Sequence, residues 1–112
     1  MKRMNKFLHA SMGVGMLALA FSAQAMDASA AQALAAQKAC LGCHAVDKKI
    51  VGPSYQDVAA KYKGMDVKKL AGSIKAGGSG KWGAIPMPPQ PTLSDAEAEL
   101  LAAWVLAGAP AK

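Results

Sequence analysis

Wherever apolar and polar positions recur regularly along the chain, they do so with a helical period. Within residues 28–39, Ala31, Leu34, Ala35 and Ala39 share one face, so a first helix is predicted that runs straight into Cys40. Ser54 is placed to cap a short helix carrying Tyr55, Val58, Ala59 and Tyr62 and ending at Gly64. Asp66 caps a third helix through Val67, Leu70, Ala71 and Ile74, closed by Gly77 and Gly78. The fourth is the best marked. Ser94 and Glu97 fit a capping box, Asp95, Glu97 and Glu99 bring negative charge to the positive end of the dipole, and Leu100, Leu101, Trp104 and Val105 form the apolar stripe. Gly108 and Pro110 stop it. Before it, residues 77–93 read GGSGKWGAIPMPPQPTL, where glycine and proline forbid regular structure over a length uncommon unless the loop has a task.

Composition sharpens this outline. β-Branched residues are few beyond position 25 while alanine is abundant, so the expected fold is all-α, with about four short helices. A length of 112 residues excludes two-domain enzymes and α/β barrels.

The first residues read as a processing signal. Lys2, Arg3 and Lys6 form a basic start, residues 10–21 are an almost unbroken apolar run, and Ala23-Gln24-Ala25 offers small residues where a signal peptidase reads them. The expected division is a cleaved export signal over residues 1–25 and a single domain over residues 26–112. The apolar run is shorter than the ~20 residues a bilayer-crossing helix needs, which disfavours the other reading, an uncleaved anchor. The first cysteine is Cys40, so lipid attachment at a new terminus is not indicated. The product is expected to be periplasmic, without stable membrane insertion. The formal charge of +6 falls to +3 over residues 26–112, ten lysines against seven acids, a modest and alanine-diluted balance in which Tyr62 is the one aromatic residue set between two lysines. Nucleic acid is therefore not an expected partner. A unit this small buries a limited share of its surface, and covalent or cofactor reinforcement is anticipated.

Cys40-Leu41-Gly42-Cys43-His44 shows what kind. In C-x-x-C-H, two thiols one turn apart add across the two vinyl groups of haem, and the next residue turns its imidazole to the iron. The expected cofactor is haem c, one per chain, attached through two thioether bonds. Competing readings lack ligands or context. Beyond residue 25 only Cys40, Cys43 and His44 are available to zinc, which wants four Cys or His, and a blue-copper site wants a second histidine. A thioredoxin-like pair belongs in a βαβ unit that is not predicted, and a plain disulfide is sterically harder at this spacing. Gly78-Ser79-Gly80-Lys81-Trp82-Gly83 satisfies G-x-G-x-x-G, but no strand precedes it and no helix opens from it.

The sixth iron position separates an electron carrier from a ligand-binding haem protein. Residues 26–112 hold no second histidine but do hold Met26, Met65 and Met87. Met87 lies in Ile85-Pro86-Met87-Pro88-Pro89, where prolines remove φ freedom from the unbound chain and so pre-organise a weak thioether ligand. Its competing role is that of a gap-filling core methionine. Trp82 offers an indole N–H suited to a haem propionate, with water as the alternative acceptor.

Taken in order, the C-x-x-C-H motif, Val51-Gly52-Pro53, the segment from Lys81 to Pro89 and Trp104-Val105-Leu106 resemble the small bacterial class I cytochromes c of the cytochrome c-551 type. The likeness spans nearly all of residues 30–107. It implies the class I fold, with the helices wrapped round one haem, Cys40 and Cys43 as thioether links, and His44 and Met87 as axial ligands. It also implies that the Pro53 carbonyl accepts the other ring N–H of His44 and that Trp82 meets a propionate. Gln90 stands where the family often has an asparagine touching the methionine sulfur, and Ser73 where some members carry an arginine. The implied function is one-electron transfer without enzymatic turnover. The monomer would bind redox proteins briefly at the haem edge: a bc-type donor, and a nitrite reductase or cytochrome oxidase as acceptor. The alternative is a haem sensor with a labile sixth ligand. Lys48, Lys49, Lys61, Lys63, Lys68, Lys69, Lys75 and Lys81 offer a basic rim for an acidic partner.

Overall fold

The computed structural model describes residues 26–112, so the export signal predicted over residues 1–25 lies outside the described residues. Four α-helices follow one another: α1 (Ala28–Gln37), α2 (Tyr55–Lys61), α3 (Val67–Ala76) and α4 (Asp95–Leu106), with a 3-10 turn at Cys40–Gly42 after α1. Among the described residues only isolated bridges, His44 with Lys49 and Gly78 with Met87, depart from this all-α plan. None of the described helices is long and apolar enough to cross a membrane.

Each helix starts on a side chain that accepts an otherwise unpartnered backbone N–H. Asp27 accepts from Ala30 at 3.0 Å, Ser54 from Asp57 at 3.0 Å and Asp66 from Lys68 at 3.1 Å. At α4 both halves of the capping box form, with Ser94 Oγ accepting from the Glu97 N–H at 3.1 Å and Glu97 Oε1 from the Ser94 N–H at 2.9 Å.

The core is built on α4, against which α1, α2 and α3 all pack. Ala98, Leu101, Ala102, Trp104 and Val105 are buried there, in one cluster with Ala31, Leu34 and Ala35 of α1, Tyr55 and Val58 of α2, and Leu70 and Ala71 of α3. Trp104 is the largest fully enclosed side chain, and its indole N–H donates to the Pro110 carbonyl at 2.9 Å. Gln32 of α1 donates to the same oxygen at 3.0 Å, so the chain beyond α4 is tied to both terminal helices. Lys75 and Asp95 form an ion pair at 2.5 Å between α3 and α4.

The end of α1 departs from expectation. The helix stops at Gln37, and Ala39 takes the left-handed conformation at φ 61°, exposed instead of continuing the buried face. Left-handed backbone costs a non-glycine residue roughly 1–2 kcal/mol, but here it swings the chain off the helix axis. Cys40 therefore begins a new turn instead of ending an old helix.

The glycine and proline segment is irregular, as predicted, yet closed. Gly78 and Met87 exchange two backbone hydrogen bonds, at 2.9 and 2.7 Å, and Gly80 N–H donates to the Gly83 carbonyl at 2.9 Å inside the loop. Gly77 ends α3 at φ 65°, and a Cβ there would run into the Met87 carbonyl and the backbone of Pro88 and Pro89. Only glycine permits the loop neck to lie so close to the helix end.

Candidate haem-binding site

The 3-10 turn gathers the attachment motif. The backbone N–H groups of Cys43 and His44 both donate to the Cys40 carbonyl, at 3.2 and 3.0 Å, which fixes the two thiols and the imidazole on one tight turn. Cys40 is half-buried and Cys43 exposed. Burial pushes the Cys40 thiol above its ordinary value, against the lowering effect of its hydrogen bond to backbone.

The His44 ring is held from several sides. Its Nδ1 lies 2.8 Å from the Pro53 carbonyl oxygen, which can only accept, so Nδ1 carries the hydrogen and Nε2 keeps a lone pair for a metal. The Tyr55 ring stacks on it at 5.1 Å between centroids, tilted by 20°, and in turn meets Trp104 edge-on at 5.3 Å. Gly52 presses on the imidazole closely enough that a Cβ there would stand 2.5 Å from Cε1. Burial raises the Tyr55 phenol above its ordinary value and keeps it protonated.

The second half of the site lies on the loop between α3 and α4. Met87 is half-buried at the neck. Trp82 is partly exposed near the tip, its ring edge-on to Tyr62 at 6.0 Å and under the Lys61 ammonium at 4.3 Å. The Gln90 side chain donates to the Pro88 carbonyl at 3.2 Å, bracing the proline run, while its backbone N–H bonds the Lys75 carbonyl at 2.9 Å. Ser73 donates to the Lys69 carbonyl within α3 at 3.3 Å. The G-x-G-x-x-G run leaves α3 and ends in loop, without the strand and helix a dinucleotide needs.

Thus Cys40, Cys43, His44 and Pro53 come together directly, while Met87 and Trp82 share a separate loop. The helix α2 touches both halves: its first residue, Tyr55, stacks on His44, and its last, Lys61, holds Trp82. Tyr55, Gly52 and Lys61 read in the sequence as a core residue, a turn and a rim lysine, because nothing in their spacing reports a contact across the fold. Of the proposed rim, Lys75 is engaged with Asp95, whereas Lys48, Lys49, Lys61, Lys63, Lys68, Lys69 and Lys81 are exposed.

The donor set fits haem c better than a bare ion. Among the described residues no three His, Cys, Asp or Glu side chains converge as a metal-ion cluster. Two cysteines on one turn beside a fixed imidazole are suited instead to a large flat ring system anchored at its edge, and the large exposed apolar side chains Leu41, Ile50, Val51, Trp82 and Ile85 fall in the segments that follow Cys40 and precede Met87.

An all-α fold with a C-x-x-C-H turn, a fixed imidazole and a methionine loop defines a small c-type haem protein. The family model for cytochrome c matches residues 28–109, and the chain belongs to that family. It is 59% identical over 71 residues to the cytochrome c-551 of Azotobacter vinelandii, covering 62% of this chain and 85% of that one. With the cytochrome c-552 of Hydrogenobacter thermophilus it shares 49% identity over 105 residues, 92% of this chain and 97% of the relative. The crystal structure of wild-type Nitrosomonas europaea cytochrome c552 superposes with a TM-score of 0.66 at 49% identity, covering 69% of this chain and 98% of that chain. The fold is therefore the class I cytochrome c fold, and the protein is a haem- and iron-binding electron-transport protein with one covalently attached haem c, and Cys40 and Cys43 fit the C-x-x-C-H motif.

Proposed function

We propose that this protein is an exported, monomeric one-electron carrier of the periplasm, its iron held between His44 Nε2 and the Met87 sulfur. The observation that carries this reading is the 2.8 Å contact of His44 Nδ1 with the Pro53 carbonyl, which directs the opposite ring nitrogen outward as a ligand beside the two thiols. Haem c, when bound, supplies an iron that cycles between Fe(II) and Fe(III). Everything else falls to the chain. Pro53, Gly52 and Tyr55 fix the imidazole plane, and the hydrogen bond to Pro53 sets its donor strength. The neck of the loop, closed by Gly78 and stiffened by Pro86, Pro88 and Pro89, presents Met87, and Trp82 offers its indole N–H to a propionate. With His44 and Met87 as ligands the iron would offer no open position to a substrate, which favours a carrier over an enzyme. Outer-sphere exchange at the haem edge is the chemistry that remains.

The exposed lysines suit brief, salt-sensitive encounters with acidic faces of a bc-type donor and of a nitrite reductase or terminal oxidase. Residues 1–25 would direct export and be removed.

The test is the optical spectrum of ferric and ferrous protein from a host that attaches haem in its periplasm. A covalent low-spin haem with a weak far-red sulfur-to-iron band is expected. High-spin haem lacking that band, and carbon monoxide binding at neutral pH, would replace the carrier with a ligand-binding haem protein.

A further inference from the structure

We propose that Lys61 is the positioning residue of the methionine loop, clamping the tip of residues 78–87 onto α2 and thereby setting how often the sixth iron position opens. The inference rests on Met87 as the sixth ligand. The loop has a fastening at each end. At the neck, Gly78 and Met87 exchange backbone hydrogen bonds at 2.9 and 2.7 Å. At the tip, Lys61 Nζ donates to the Lys81 carbonyl at 2.7 Å and stands 4.3 Å from the centre of the Trp82 ring. Tyr62, the residue after α2, meets that ring edge-on at 6.0 Å, and Lys61 Nζ also stands 5.7 Å from the centre of the Tyr62 ring.

The tip needs such a clamp. Gly78, Gly80 and Gly83 sit at positive φ, and glycine regains more conformational freedom than any other residue when contacts are lost. Trp82 and Ile85 are both exposed, so apolar burial does little to hold the tip. Lys61 combines a charge-assisted hydrogen bond with a cation–π contact, two terms that reinforce one another on a partly exposed surface. Its position at the carbonyl end of α2 also favours its charge through the helix dipole.

The experiment compares the holoprotein with its Lys61→Met, Lys61→Arg and Met87→Ala variants. The measurements are the rate at which added imidazole enters ferric protein, the far-red band, amide exchange at Gly80 and Met87, and the thermal midpoint. Lys61→Met keeps the aliphatic stem while removing donor and charge; it is expected to raise imidazole entry and Gly80 exchange about tenfold, with the band retained and the midpoint little changed. Lys61→Arg is expected to restore near-parental values. Parental imidazole entry and exchange in Lys61→Met would overturn the clamp, as would equal acceleration in Lys61→Met and Lys61→Arg accompanied by a matching fall in midpoint. A Met87→Ala protein that keeps its far-red band would overturn the ligand reading instead, whatever Lys61 does.

Discussion

Gly52 leaves His44 no room to spare: a methyl group at position 52 would lie 2.5 Å from the imidazole Cε1 and 2.8 Å from Nδ1, the atom that faces the Pro53 carbonyl. The glycine is therefore required for contact reasons. Gly52→Ala is expected to push the ring off Pro53 and to destabilise the holoprotein by about 1–3 kcal/mol, the usual cost of overpacking. Thermal unfolding measures that loss. Electron paramagnetic resonance of the ferric form, which reports the imidazole plane, should shift with it.

Exchanging the methionines separates candidate ligands. Met87→Ala is expected to keep covalent haem while losing the far-red band and lowering the reduction potential, since a thioether ligand raises it. Met65→Ala, which truncates a half-buried residue packed against the core, should leave both unchanged. Spectra and potentiometry of the two variants decide the matter.

Removing the cap of α4 should weaken the whole fold, because every other helix packs on that element. Ser94→Ala leaves the Glu97 N–H without its partner and is expected to cost about 1 kcal/mol. In a domain of this size that is a fall of roughly 4–8 °C in Tm, checked by calorimetry.

The same helix start makes stability depend on acid. Lys75 beside Asp95, and the Ser94 N–H on Glu97, hold these two carboxyls below their ordinary values of 3.8 and 4.5. A group whose value is lowered by folding stabilises fully above its unfolded value and loses that contribution as pH falls through the folded one. The thermal midpoint should accordingly be flat from neutral pH down to about 5 and decline below the ordinary carboxylate range. In the Asp95→Asn, Glu97→Gln double variant the decline should be shallower.

Electron exchange with an acidic redox partner should slow as ionic strength rises, since seven of the eight lysines between positions 48 and 81 are exposed. Stopped-flow rates across a salt series measure the slope. Rates independent of salt would leave those lysines as ordinary solvated residues.

Local chemistry was readable wherever one short stretch contained its own reason. Ser54, Asp66 and Ser94 announced three helix starts because a capping side chain acts within three residues, and each does so here. The C-x-x-C-H turn and the glycine and proline loop were legible for the same cause. The break at Ala39 was not, since alanine is the strongest helix former and its left-handed backbone is set by what the turn beyond it must do. The stacking of Tyr55 on His44 and the reach of Lys61 to Trp82 join residues 11 and about 20 positions apart, distances at which no hydrophobic period speaks.

Tyr55 under the imidazole and Lys61 over the tryptophan are the first and last of the seven residues of α2, a rise of roughly 9 Å between their Cα atoms. That helix works as a gauge. Substitutions at its outward positions Gln56, Asp57 and Ala60 leave the gauge intact, but one inserted residue would turn one end against the other by about 100° and carry a ligand support or the loop tip out of register. The site can therefore absorb changes of composition along this segment far more readily than a change in its length.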